Sequence, residues 1–190
     1  MNKTKKKLLQ TYIDEVYNKG IQEVTLLSLS KNSKVPFGTV HYHLGNIDLL
    51  LAAVEVADDS GRDFVNNALA KTKKGSRLDH YISVNFDWLK IEPENASLWI
   101  YFLFESARKK SHAKLNQDYS HKTVIRILDF LKVDFPKKSP KELKGLAEKL
   151  YQTLFGSMVY ALSHDSELKK VLKNCLDTKN SILLAHFAKM

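Results

Sequence analysis

One cysteine, Cys175, stands in 190 residues. The chain therefore cannot close an internal disulfide or build a metal site from several thiolates, and nothing in it asks for an oxidising compartment. Long apolar runs are also missing. The lysines at 3, 5, 6 and 7 have the charge of a secretion signal's first region, but Leu8-Leu9 is broken at once by Gln10 and Thr11. No stretch remains to target or anchor the chain, so a cytoplasmic location without a membrane partner is expected. Sustained apolar/polar alternation is absent and turn signals lie too far apart for hairpins, which excludes a β fold. There is no internal repeat and no low-complexity tract. A Gly-rich phosphate loop, a nucleophile elbow and an HExxH pair are lacking too, so no enzyme activity, cofactor or metal is expected. His41 and His43, two residues apart, would point from different faces of a helix, and His112, His121 and His164 are isolated, with solvated or hydrogen-bonded roles expected.

What the chain has is positive charge. A formal net charge of +9 and a pI near 9.4 favour an anionic partner, nucleic acid first and an acidic membrane surface second. Residues 1–50 hold seven lysines against Asp14, Glu15, Glu23 and Asp48, and the rest of the excess is spread along the chain, so charge alone does not locate a site. With 44% hydrophobic and 27% charged residues, a packed globular fold is expected.

Apolar residues at Leu8, Leu9, Tyr12, Ile13, Val16 and Tyr17 lay one stripe down a helix, which Gly20 ends. Thr25 is a good N-cap for a short second helix with Leu26, Leu27 and Leu29 facing inward. After Ser33, Lys34 and Val35, Pro36 is placed to open a third helix at its first position, and Asn46 to cap a fourth beginning at Ile47. Helical patterns then run over 47–71, 76–90, 93–110, 113–132, 140–162 and 165–189, with a polar break at 71–76 around Gly75. The clearest start is Ser139-Pro140-Lys141-Glu142, a capping box with proline at the first helical position. The expected fold is all-α, about nine helices, with a three-helix helix-turn-helix domain over 1–50 joined to a larger helical domain over 51–190.

Within 20–51, Gly20, Thr25, Leu26, Leu29, Val35, Gly38-Thr39-Val40, Tyr42-His43-Leu44 and Leu50-Leu51 follow one another in an order and spacing that resembles the TetR family of transcriptional regulators. The resemblance covers about a quarter of the chain. It implies that the helix after the turn enters the major groove, that two copies of the chain read a palindromic DNA operator, and that the C-terminal domain binds a small molecule of unknown class that releases the DNA. Its usual pattern has glycine in the turn, serine before the recognition helix, tyrosine after the apolar anchor and lysine at the start of helix four. Here those positions hold Lys34, Pro36, His41 and Ile47.

The physical logic stands beside that resemblance. A recognition helix must be short and held by few apolar residues; Val35, Val40 and Leu44 can anchor it, leaving Phe37, Thr39, Tyr42 and His43 outward. Thr39 offers a hydroxyl and a methyl, and Phe37 an apolar face for thymine methyls. Gly38 lowers helix propensity by about 1 kcal/mol, which a close approach of DNA would explain. Tyr42, His43, Lys34 and Thr25 suit phosphates, His41 a base or phosphate, and Lys5 and Lys6 belong to an arm for phosphate or minor-groove contact. Pro36 completes the candidate DNA-binding set.

In the second domain, Asn85, Phe86, Trp99, Phe102, Glu105, Tyr151, Phe155 and Met158 are candidate ligand-lining residues, although core packing is the commoner fate of such aromatics and Glu105 can pair with Arg108 or Lys109 on its own helix. Small and apolar faces containing Leu154, Ser157, Ala161, Leu183 and Phe187 are candidates for a homodimer interface. An alternative keeps the DNA-binding domain but gives the C-terminal domain a protein partner and no small-molecule effector.

Overall fold

The computed structural model describes residues 1–71, 77–164 and 167–187. Among them the chain forms nine α-helices and a short 3-10 turn, and no strand. The order is α1 (Lys3–Lys19), the 3-10 turn (Ile21–Glu23), α2 (Leu26–Ser33), α3 (Phe37–Leu44), α4 (Leu49–Leu69), α5 (Arg77–Ile91), α6 (Pro93–Ser106), α7 (Lys110–Asp134), α8 (Pro140–Ser163) and α9 (Leu168–Phe187). Most of the polar break around Gly75 and the outer ends expected for the last helix, Asp165 and Lys189, lie outside the described residues.

Local chemistry sets several of these ends. Gly20 stops α1 at φ +89°, a conformation that side-chain-bearing residues rarely adopt. Thr25 caps α2: its Oγ1 accepts from the Ser28 amide at 3.0 Å while Ser28 Oγ accepts from the Thr25 amide at 3.1 Å. The box at Ser139 and Glu142 closes as its spacing predicts, with Pro140 as the first residue of α8.

Four expectations need correction. The lysines at 3–7 are not an arm ahead of the fold; they form the opening turns of α1, because Asn2 Oδ1 accepts from the Thr4 amide at 2.8 Å and caps a helix that starts at Lys3. Pro36 is the N-cap of α3 and not its first residue. At α4 the capping side chain is Asp48, whose Oδ1 accepts from the Leu51 amide at 3.1 Å; Asn46 does not cap it and the helix starts at Leu49, two residues past Ile47. Leu27 is 54% exposed, since one helical step of about 100° turns it away from the face shared by Leu26 and Leu29.

The chain divides into two compact units, Met1–Asp63 with Glu92–Ala113, and Phe64–Ile91 with Lys114–Met190. In the first, α1 packs against α2, α3 and α6. Its core holds Leu8, Leu9, Tyr12, Ile13 and Val16 of α1, Leu29 of α2, Val40 and Leu44 of α3 and Phe102 of α6. Each such side chain contributes about 1.5–3 kcal/mol by leaving water, which a helix of eight residues such as α3 needs, since short helices are marginal on their own. Burial also holds the Tyr12 phenol well above its usual range.

In the second unit α8 packs along α9, and α5 touches both. Tyr81, Ile82 and Phe86 of α5, Ile127 and Leu131 of α7, Leu146, Leu150 and Leu154 of α8 and Cys175 of α9 are buried. The buried Lys179 ammonium is neutralised by Asp79 across α9 and α5. Burial pushes the Cys175 thiol pKa up.

Candidate nucleic-acid interface

The turn between α2 and α3 is built from side chains that satisfy it locally. Lys34 ends α2 in the left-handed region, at φ 57° and ψ 32°. A glycine would adopt that conformation freely, whereas lysine adopts it at a cost. Ser30 of α2 donates to the Val35 carbonyl at 2.8 Å, which holds the turn against the helix that precedes it. Pro36 then caps α3 through its carbonyl, which accepts from the Thr39 and Val40 amides at 2.9 and 3.1 Å. It has no side chain to offer the first amides of α3. Those donors remain at the positive end of the helix dipole.

On α3 itself Val40 and Leu44 are buried, and Val35 of the turn before it is half-buried, as anchors should be. Phe37 is 48% and Tyr42 83% exposed, and Gly38 and His41 are also exposed. Thr39 and His43 are half-buried. Phe37 and His41 lie one turn apart with ring centroids 6.2 Å from each other, and Tyr42 meets His43 edge-on at 5.0 Å. The two glycines of this segment differ. A Cβ at Gly45 would sit 2.6 Å from the His41 carbonyl oxygen, so the fold itself requires that glycine; a Cβ at Gly38 would meet nothing within 4 Å. Thr25, Lys34, Pro36 and Lys6 are exposed and Lys5 half-buried. All of these residues belong to the first unit.

Two acidic residues outside the candidate site organise this unit. Glu15 of α1 is 5% exposed, yet its carboxylate accepts from Ser28 Oγ at 2.6 Å and Asn32 Nδ2 at 2.7 Å, both on α2, with Lys19 at 3.4 Å. The available signal was its place seven residues beyond Leu8 and three beyond Tyr12, on their shared stripe, where a charge demands a partner. Asp48 caps α4 and also lies 3.5 Å from His112 Nε2 and 3.8 Å from Lys109 Nζ. His112, expected to be solvated or hydrogen-bonded, is fully buried against Phe102, ring centroids 5.6 Å apart; its Nδ1 meets Ser111 Oγ at 3.3 Å, while its Nε2 has no hydrogen-bond partner among the described residues.

The candidate ligand residues fall in both units. Trp99, Phe102 and Glu105 belong to the first, where Trp99 and Phe102 meet at right angles and Glu105 pairs with Lys109 at 3.0 Å and Arg108 at 3.6 Å. The hydrogen bond from Lys109 holds the Glu105 carboxyl below the usual range. In the second unit Asn85 donates to the Tyr81 carbonyl one turn back, Phe86 is buried, and Met158 is half-buried. Tyr151 stacks on Phe155 and its hydroxyl meets Ser120 at 2.7 Å. Of the candidate interface residues, Leu154 is buried, Phe187 packs on Phe135, and Ser157, Ala161 and Leu183 are half-buried; Tyr160 and Leu184 on the same two helices are the exposed large apolar side chains.

No protein-family model and no curated protein matches the sequence. Solved structures match it closely in shape. A transcriptional regulator from Rhodococcus sp. Rha1 superposes with a TM-score of 0.79 over 96% of both chains at 16% identity. The multidrug binding protein EbrR, complexed with imidazole, does so with a TM-score of 0.70 over 96% of both chains at 17% identity. A TetR-like transcriptional regulator from Rhodococcus sp. RHA1 reaches 0.71 over 94% of this chain and 93% of its own, at 9% identity. With the helix order matching what the residues of 20–51 imply, the chain has the TetR-like fold, a helix-turn-helix unit followed by a helical C-terminal domain.

Proposed function

We propose that the protein is a sequence-specific, DNA-binding transcriptional regulator, a homodimer that represses from a palindromic operator and is released by a small molecule. The observation that carries this reading is Gly38. A glycine on the first turn of an exposed helix lowers helix propensity by up to about 1 kcal/mol, and no atom of the fold occupies the space a side chain there would take. Close approach of a nucleic-acid backbone or base edge accounts for it.

Three further features support the same reading. Lys3, Lys5, Lys6 and Lys7 stand at the positive end of the α1 dipole with no acidic residue in the first turn, an arrangement that is unfavourable in isolation and relieved by a polyanion. The first amides of α3 lack a side-chain cap, and Phe37, His41 and Tyr42 project from it. Tyr160 and Leu184, exposed on α8 and α9, offer apolar surface for a second copy, which a palindrome requires about one DNA turn (~34 Å) away. EbrR, a multidrug binding protein complexed with imidazole, supports a small-molecule ligand.

Fluorescence anisotropy with duplex from the intergenic region beside the gene tests the proposal. Binding should depend on sequence and weaken steeply with salt. Gly38→Ala should leave the protein at least as stable and weaken binding tenfold or more. Absence of salt- and sequence-dependent binding by the parent protein would sink the reading.

A further inference from the structure

Within the second unit, α5, α7 and α8 share a cluster of polar side chains around one arginine. Arg126 of α7 lies with its guanidinium carbon 5.9 Å from the centroid of the Tyr81 ring of α5. Tyr81 is buried and packs on Phe130, ring centroids 5.5 Å apart, and its hydroxyl is hydrogen-bonded by the Asn85 and Thr123 side chains. One turn of α7 before Thr123, Ser120 Oγ meets the Tyr151 hydroxyl of α8 at 2.7 Å, and Tyr151 stacks on Phe155. The Tyr81 hydroxyl is within electrostatic reach of both Arg126 and Tyr151, which brings the two ends of the cluster together. Asn85, Ser120, Thr123, Arg126 and Tyr151 are each half-buried, so solvent reaches the cluster while water screens its charge only in part.

What this cluster lacks is an anion. No carboxylate among the described residues pairs with Arg126; the acid three residues on along α7, Asp129, pairs with Lys132 at 2.9 Å instead. Burial holds the Tyr81 phenol in its neutral form, so it does not serve Arg126 as an anion either. A ring face attracts the guanidinium but gives its N–H groups no oxygen. In the Ser120–Tyr151 pair one hydroxyl donates to the other, and the proton of the second has no acceptor among the described residues. The geometry points to a binding site for a carboxylate, paired with the Arg126 guanidinium and accepting from the Ser120–Tyr151 hydroxyls. The Tyr151 and Phe155 rings beside it suit an apolar or aromatic body. An amide or an alcohol brings an acceptor without the charge, and an amine brings the wrong charge. The inference rests on the reading of this protein as a ligand-released regulator and names the chemical class of its effector, a small organic acid with an apolar body.

The test uses the full-length protein and the sodium salts of butyrate, benzoate and phenylacetate. Sodium chloride, sodium sulfate and sodium phosphate at equal ionic strength and the matching primary amides serve as comparisons. Thermal melting screens the panel and titration calorimetry measures affinity. At least one carboxylate should raise Tm when its amide and the inorganic anions do not. Arg126→Gln should weaken its binding about tenfold or more, and Tyr151→Phe about threefold. No response to any carboxylate overturns the site. So does an equal response to the amides or to phosphate and sulfate, or undiminished binding by Arg126→Gln. Should Arg126→Gln fail to fold, Arg126→Lys decides: it keeps the charge, loses the two-pronged fork, and should bind the acid more weakly than the parent. The same acid should lower duplex affinity at constant ionic strength, and acid binding with duplex affinity unchanged overturns its role as effector. Duplex binding by the parent protein alone is measured separately: failure there removes the regulator reading, whereas intact duplex binding with no carboxylate response removes this site alone.

Discussion

Asn32 Nδ2 donates to Glu15 Oε1 at 2.7 Å across seventeen residues of chain, from the end of α2 to the buried face of α1. The same carboxylate takes the Ser28 hydroxyl, so the residue that completes the Thr25 capping box is also held from α1. Position and cap of α2 therefore depend on one buried anion.

Glu15→Ala should lower stability by roughly 2 kcal/mol, the scale of a hydrogen bond to a charged group that leaves its partners unmet. Glu15→Gln, which keeps the shape and can serve only part of the network, should fall between the two. Urea denaturation followed by circular dichroism checks the order. Equal stability of Glu15→Ala and the parent would show that the network does not hold α2.

At Lys34 folding and binding should move in opposite directions. Relief of the left-handed conformation in Lys34→Gly should stabilise the fold by roughly 1 kcal/mol, or about 2–4 °C in Tm for a chain of this size. Loss of a phosphate contact should weaken binding to all duplexes alike and reduce the salt slope by about 1. A rise in Tm with unchanged salt slope would place Lys34 outside the interface.

Thr39 and Tyr42 should separate sequence reading from backbone contact. Thr39→Ala is expected to relax sequence preference, and Tyr42→Ala to weaken specific and unrelated duplexes equally. Anisotropy titrations with operator and scrambled duplex distinguish the two. If both variants keep parental affinity for the operator, α3 is not the recognition helix.

The Glu142 carboxyl, held below its ordinary 4.5 by hydrogen bonds from the Ser139 hydroxyl and amide, gives a pH signature. A depressed value in the folded state means that the stabilisation is fully present above pH 4.5 and disappears as the pH falls through the folded-state value. Glu142→Gln should therefore be less stable than the parent at pH 7, and the gap should narrow in acid. Melting curves at pH 7 and at pH 3 measure it; a gap that does not change would assign the effect to packing.

Caps and stops were legible in the sequence where one residue type answered one local need. Gly20, the Thr25 cap and the Ser139-Pro140-Glu142 start are of this kind, because their partners lie within four residues. Local chemistry could not choose between Asn46 and Asp48, two equally good caps; Asp48 is the one bonded to Leu51, with Leu50 and Val54 of α4 buried beside it. Leu27 was misplaced because an apolar residue in an eight-residue helix is too little to define a face. The exposure of Phe37 and Tyr42 was legible because the turn, the anchors and the short length of α3 are all local, whereas Thr39 and His43, expected outward, are half-buried. The roles of Glu15 and His112 were not legible for the opposite reason. Each draws its meaning from partners on another helix, which only the packed chain reveals.

Cys175 is buried and its thiol is held in the unreactive protonated form by that burial. The chain is therefore suited to selective spectroscopic labelling without first removing a native cysteine. A thiol introduced at an exposed position such as Gln22 would react with a maleimide or spin label ahead of Cys175. In a dimer each copy would then carry one probe beside its helix-turn-helix, and the separation of the pair could be followed in solution as DNA is added.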